Sequence, residues 1–208
     1  GTQWVLTAAH CTYDEDGYPF SPDELDVLIN RHQLDANQGE RIRVRRIIRH
    51  PAFVPKTFNA DLALLQLTAE SEYEPIRFAT EQSQVTAKSA TVFGWGVSDS
   101  GEPVNSLHQV SLPLVARSEC ASLYRGYNRM VNRNMRCAGF LEGGKDACVG
   151  DSGGPLAMQD EDSGQWTQIG IVSWGEGCGN ANAYGVYTDL TSFDRWVKVQ
   201  MLYYNRER

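Results

Sequence analysis

No stretch of the 208 residues approaches the roughly eighteen consecutive apolar positions that a membrane-crossing helix needs, so no spanning helix is expected within them. Positive charge is in deficit. There are 19 Lys and Arg against 26 Asp and Glu, a net charge of -7, whereas a general nucleic-acid binder carries the opposite sign. The five cysteines contain no C-x-x-C pair, which argues against a structural zinc site or a thioredoxin-type redox motif. The chain has no N-x-S/T sequon, no internal repeat and no low-complexity segment. It also lacks an initiating Met and a charged-then-apolar leader, and Gly1-Thr2-Gln3-Trp4-Val5-Leu6 reads as a strand entered part-way; an upstream segment is expected.

What is present is a globular composition. Hydrophobic residues make up 41% and charged residues 22%, enough apolar surface for a sizeable core. Period-2 patterning dominates. Arg41-Ile42-Arg43-Val44-Arg45 alternates strictly, Val110, Leu112 and Leu114 alternate, and Gln168-Ile169-Gly170-Ile171-Val172-Ser173-Trp174 is β-rich. Turn pairs such as Asp16-Gly17, Ser100-Gly101 and Ser163-Gly164 separate these runs. Short strands with polar turns predict an all-β barrel or sandwich. One good helix is expected, at the C-terminus, capped by Thr191 or Ser192 with Phe193, Trp196 and Val197 at helical spacing. The Glu, Thr, Ser and Gln-rich stretch 68–89 is the most linker-like and divides a first half from a second.

Cys11, Cys120, Cys137, Cys148 and Cys178 are odd in number, as in a disulfide framework with one partner lying elsewhere. The last four allow three pairings, and five buried thiols is the competing reading. Disulfides would require an oxidising compartment.

Three segments carry the chemistry: Thr7-Ala8-Ala9-His10-Cys11, Asn59-Ala60-Asp61-Leu62, and Gly150-Asp151-Ser152-Gly153-Gly154-Pro155. A serine hydroxyl is a weak nucleophile that needs an adjacent base, and imidazole is the natural base near neutral pH. A buried carboxylate fixes the imidazole tautomer and stabilises the imidazolium that forms. Glycines around a serine allow a tight turn whose N–H groups converge on a developing oxyanion.

With Phe93-Gly94-Trp95-Gly96, Ser173-Trp174-Gly175 and Gly185-Val186-Tyr187, these motifs resemble a trypsin-like (chymotrypsin-fold) serine protease from Trp4 to the final helix. The resemblance implies two packed antiparallel β-barrels, the first about 1–80 and the second about 85–190, with a C-terminal α-helix about 191–203. It implies His10 as base, Asp61 as its orienting partner, Ser152 as nucleophile, and the Gly150 and Ser152 N–H groups as oxyanion hole. It implies the pairs Cys120–Cys137 and Cys148–Cys178, with Cys11 bonded to a cysteine upstream, and a secreted or periplasmic setting. Asp151 would receive the α-amino group freed by proteolytic activation; unpaired, it should turn outward or protonate.

The resemblance puts Asp146 at the base of the substrate pocket, with Gly175 and Gly185 as walls and Ser173, Trp174 and Gly175 as the strand that pairs with substrate. A carboxylate there selects Arg or Lys, and Ala147 beside it, lacking a hydroxyl, favours Arg. The implied activity is cleavage after Arg, then Lys, through an acyl-enzyme, on protein or peptide substrates, with protein inhibitors as further partners. The alternative is a non-catalytic binding module on the same fold. Tyr184 stands where the family associates tyrosine with sodium, against a packing role. Acids in the loop 30–40 do not line up for calcium, since Arg31 and Ala36 fall at or near the acid positions; no cofactor or metal is expected. Arg41, Arg43 and Arg45 form a solvated face or, on the sharper reading, an exosite for an acidic segment or anionic glycan.

Overall fold

The alternation of 41–45 becomes the outer half of a long strand, β3 (Glu40–Arg49). Ile42 and Val44 are buried while Arg41, Arg43 and Arg45 face solvent. A register shift between Val44 and Arg46 then breaks the alternation. The structure, a computed structural model, describes residues 1–83, 85–98 and 100–206. In it β3 lies between β2 (Asp26–Ile29) and β4 (Ala63–Leu67), and β1 (Trp4–Thr7) pairs with the far side of β4. This antiparallel sheet of order β1-β4-β3-β2 is a half-barrel. Every residue of β4 is buried, so it reads as an apolar run with no alternation.

The second half closes on itself. β6 (Ser89–Gly94), β7 (His108–Val115), β8 (Met135–Ala138), β11 (Gly185–Asp189), β10 (Trp166–Trp174) and β9 (Pro155–Gln159) form a six-stranded barrel, closed by the β10–β11 pairing. The short β5 (Arg77–Phe78), within the linker-like stretch, joins β10 in parallel. The barrel is filled by Ala90, Val92, Leu112, Leu156 and Ile169. A separate cluster joins the two sheets. Ala8, Ala60, Leu62 and Leu64 of the first half pack with Ile171, Leu190, Phe193 and Val197 of the second. Cys120–Cys137 and Cys148–Cys178 are disulfide-bonded, and each contributes about 2–4 kcal/mol by restricting the unfolded chain.

Two helical features differ from the sequence expectation. A helix α1 (Arg117–Arg125) follows β7, where none was anticipated. Its N-terminus lacks a side-chain cap and its buried residues are Cys120 and Tyr124, too narrow a stripe to read as amphipathic. Tertiary anchors supply what propensity does not: the Cys120–Cys137 bond, and the Tyr124 hydroxyl donating to the Tyr184 carbonyl. The C-terminal helix α2 (Asp194–Asn205) is not capped by Thr191 or Ser192. Those residues lie inside a preceding 3-10 turn, Leu190–Ser192, whose own cap is Asp189, accepting from the Thr191 N–H at 3.1 Å.

Candidate active site

The three motifs converge at the seam between the two halves. His10 opens a 3-10 turn just after β1, Asp61 immediately precedes β4, and Ser152 lies in the loop entering β9. Asp61 is fully buried. Its carboxylate accepts from the His10 backbone N–H at 2.9 Å, from His10 Nδ1 at 2.8 Å and from the Ser173 hydroxyl at 2.6 Å. The Thr188 hydroxyl donates to the Asp61 carbonyl at 2.7 Å. Ser173 and Thr188 belong to β10 and β11, so the second barrel grips an acid of the first sheet. The three donors supply the hydrogen bonds that a buried carboxylate requires. Because Nδ1 donates to Asp61, a neutral His10 keeps its lone pair on Nε2, the atom a general base uses.

No hydrogen bond joins Nε2 to Ser152 among the described residues; the Cys11 sulfur lies 3.6 Å from it instead. Burial works to lower the His10 pKa, but the hydrogen bonds to Asp61 and to the Cys11 sulfur, with the charges on both, outweigh it and push it up to about 10. Asp61 is the larger of the two raising influences, and the Cys11 sulfur adds to it.

The loop carrying Ser152 is pinned by Asp151 N–H to the Cys148 carbonyl, Gly153 N–H to the Val172 carbonyl and Gly154 N–H to the Asp151 carbonyl. Among the described residues, the Gly150 and Ser152 N–H groups donate to no protein acceptor. Gly150 has φ +96°, a conformation that L side chains rarely adopt, and an added Cβ would lie in tight contact, 3.1 Å from Gly96 Cα, so both favour glycine.

Beside exposed Ser152 opens a cavity of about 220 Å³, lined by Asp146, Ala147, Ser173, Trp174, Gly175, Gly185 and Tyr187. Asp146 accepts from the Ala147 N–H at 2.8 Å and the Gly179 N–H at 3.1 Å. Burial raises its pKa above the ordinary carboxylate range, more than these two bonds lower it. At Gly185 an added Cβ would lie 2.9 Å from the Asp146 oxygen, so glycine keeps that wall open. The Tyr187 hydroxyl, buried and without a protein partner among the described residues, faces the same carboxylate.

Asp61 thus orients His10, and Ser152 shares its cavity with Asp146. The Trypsin family model matches residues 1–197. This chain belongs to the trypsin family. Mannan-binding lectin serine protease 1 of Mus musculus is 32% identical over 95% of the chain, coagulation factor XII of Bos taurus 37% over 94%, and trypsin eta of Drosophila melanogaster 36% over 96%. The chain spans 30% of the first of these proteins, 34% of the second and 74% of the third.

Other residues of this trypsin-family chain lie around the pocket or away from it. Of the two outcomes expected of an unpaired Asp151, turning outward or protonation, the first is not the one seen: the carboxylate turns inward. One oxygen accepts from the Gly96 N–H at 2.8 Å and the other from the Cys148 N–H at 2.9 Å. Two amide donors supply the compensation an unpaired acid would lack. Asp151 borders a second cavity of about 530 Å³, shared with Lys145 and Asp146. Tyr184 is buried among Tyr124, Cys137 and Val186, and its hydroxyl donates to Glu119 at 2.7 Å. In the loop 30–40, the Arg31 guanidinium donates to the Leu34 and Gln38 carbonyls, an internal cation organising the turn. Arg41 is paired with Asp26 at 2.7 Å, and Arg41, Arg43 and Arg45 line neither cavity.

Sequence reasoning took Ser173 only as part of a substrate strand and did not single out Thr188. The available signal was a hydroxyl interrupting each of two buried runs, β10 and β11. Tyr187 was read as a landmark, and its hydroxyl gains meaning only from the folded pocket.

Proposed function

We propose that the chain is the catalytic portion of a secreted serine endopeptidase that cleaves peptide bonds after Arg, then Lys, through an acyl-enzyme. The observation that carries this reading is a single cavity bordered by Ser152 and Asp146, in a fold whose His10 ring is oriented by buried Asp61.

In the proposed reaction, Ser152 Oγ attacks the carbonyl carbon of the scissile bond as His10 Nε2 takes the hydroxyl proton. Asp61 stabilises the imidazolium, and the Gly150 and Ser152 N–H groups receive the oxyanion. His10 then gives its proton to the leaving amine, the C–N bond breaks, and an ester to Ser152 remains. Water, deprotonated by His10, attacks that ester; the bond to Ser152 Oγ breaks, His10 returns the proton to Oγ, and the acid product leaves. The substrate backbone lies along Ser173–Gly175 as an added strand. Its Arg side chain reaches Asp146, where a guanidinium can fork onto the carboxylate. An ammonium does less well, because Ala147 offers it no hydroxyl.

Asp151 is the proposed receiver of an α-amino group released by proteolysis upstream, entering the cavity beside Gly96 and Cys148. The two disulfides accord with secretion, and protein substrates and protein inhibitors are the proposed partners. The test is turnover of matched Arg and Lys esters by full-length, proteolytically processed protein, with Ser152→Ala as control. Turnover lowered roughly 10⁴–10⁶-fold by that substitution supports the reading. Absence of turnover in the unsubstituted protein favours the binding-module alternative.

A further inference from the structure

The turn that delivers Asp61 is held in a shape its own residues resist. Phe58 and Ala60 have φ of 53° and 52°, in the left-handed region, and neither is glycine. Such a conformation persists only where its surroundings over-determine it. Between the two strained residues, the side chain of Asn59 makes three hydrogen bonds. Its Nδ2 donates to the Ala52 carbonyl at 3.2 Å, inside the loop. Its Oδ1 accepts from Asn132 Nδ2 at 2.9 Å and from Asn134 Nδ2 at 3.3 Å, both on the segment that leads into β8.

That segment is itself anchored. Asn132 Oδ1 accepts the Asn134 N–H at 2.8 Å, and the Asn134 carbonyl accepts the Asp189 N–H at 2.9 Å, at the end of β11. On the other side of Asn59 the chain is equally constrained. Ala60 is buried, and the Leu62 N–H folds back onto the Ala60 carbonyl at 2.9 Å, leaving Asp61 at the apex of a tight turn. The Phe58 ring meets the His10 ring edge-on at 5.5 Å. The Asn59 amide is thus a further polar tie between the strained turn and the second barrel, beside those that Ser173 and Thr188 make to Asp61, and it lies two residues before the acid that orients His10.

We propose that Asn59 is a positioning residue. Its amide fastens the strained turn to the second barrel, and so holds the Asp61 carboxylate and, through it, the His10 ring. The kinetic consequence rests on the catalytic reading above; the structural consequence does not.

The test uses full-length processed protein with Asn59→Ala, Asn132→Ala combined with Asn134→Ala, and Asn59→Ala combined with Ala60→Gly. Two quantities are read: kcat and KM for a small Arg amide, and the low-field NMR resonance of the His10 Nδ1 proton. Asn59→Ala should lower kcat by about 10–100-fold, the scale of a misplaced catalytic group, with KM changed by less than about threefold. The resonance should shift or broaden. The Asn132/Asn134 double variant should do the same from the other side of the contact. Ala60→Gly removes the steric penalty of a positive φ, so adding it to Asn59→Ala should restore most of the kcat and the resonance.

An unchanged kcat and resonance in Asn59→Ala overturns the proposal. So does a loss that Ala60→Gly does not reduce, because a general weakening of the fold would not be relieved at that residue. If Asn59→Ala does not fold, Asn132→Ala alone removes the shorter cross-barrel bond, and an unmoved resonance there is equally fatal. If the parent enzyme shows no Ser152-dependent turnover, the catalytic reading fails, and the resonance still decides the role of Asn59.

Discussion

Replacing Asp146 with Ser removes the negative charge from the pocket next to Ser152. Both Asp146 oxygens already accept one backbone N–H each, from Ala147 and Gly179, which leaves their outer lone pairs for a guest. Burial disfavours the charged carboxylate, so an entering cation stabilises it and is stabilised in return. Without that countercharge a substrate guanidinium would be desolvated with no opposite charge, at a cost of about 3–5 kcal/mol. Converted to rate, that is a loss of roughly 10²–10⁴-fold in kcat/KM for Arg substrates. The serine hydroxyl can accept from one of the two freed N–H groups, so the pocket keeps its shape and admits apolar side chains weakly. The assay is kcat/KM for matched Arg, Lys, Leu and Phe amides, with active sites titrated in the processed full-length enzyme. An Arg preference retained to within about tenfold of the parent would refute the pocket assignment, since one unit of log kcat/KM is far below the calculated loss.

Ala147→Ser should narrow the gap between Arg and Lys substrates by giving a bound ammonium a hydroxyl partner; an unmoved Lys/Arg ratio of kcat/KM removes that account. Asp61→Asn should cost roughly 10⁴-fold in kcat by favouring the wrong imidazole tautomer, and near-parental turnover would show that Asp61 is not the orienting acid. With Cys11 reduced, the raised His10 pKa means that the folded chain holds this proton more tightly than the unfolded chain, whose value is about 6.5. The resulting stabilisation is complete below about pH 6.5 and is lost as pH rises through about 10. Cys11→Ala removes the sulfur's share of the shift. The difference in Tm between the two proteins should therefore be greatest below about pH 6.5 and close as pH rises through about 10, and superimposable Tm–pH curves would exclude the sulfur–imidazole interaction.

What the sequence discloses, and what it hides, follows the range of the interactions involved. The alternation of Arg41 to Arg45 is local, and half-exposure of the strand writes it directly into the letters. The shift after Val44 is not written there, because β4 imposes it from across the sheet. Helix α1 is hidden for the same reason, as its anchors are Cys137 and the Tyr184 carbonyl and not its own face. The third donor on the Asp61 carboxylate, Ser173, is 112 residues away, and the donor to its carbonyl, Thr188, is 127 away. No spacing rule connects residues at such separations. A hydroxyl inside a buried strand is the available local trace, since an unpaired one would be costly there.

These long-range partners explain why the candidate site depends on the seam as much as on its own motifs. The strained residues Phe58 and Ala60 each cost about 1–2 kcal/mol in a conformation that L-residues avoid. Asp61 would also destabilise the fold if its donors were withdrawn, because a buried charge without partners is worse than none. Both costs are offset only while the first sheet and the second barrel stay in register. The apolar cluster around Leu62, Ile171, Leu190 and Phe193 holds the two together without direction. Ser173, Thr188 and the asparagines at 132 and 134 add the direction, each reaching from the second barrel to the few residues around Asp61. Apolar packing brings the halves together, and the polar contacts select the one arrangement in which the Asp61 carboxylate holds the His10 ring.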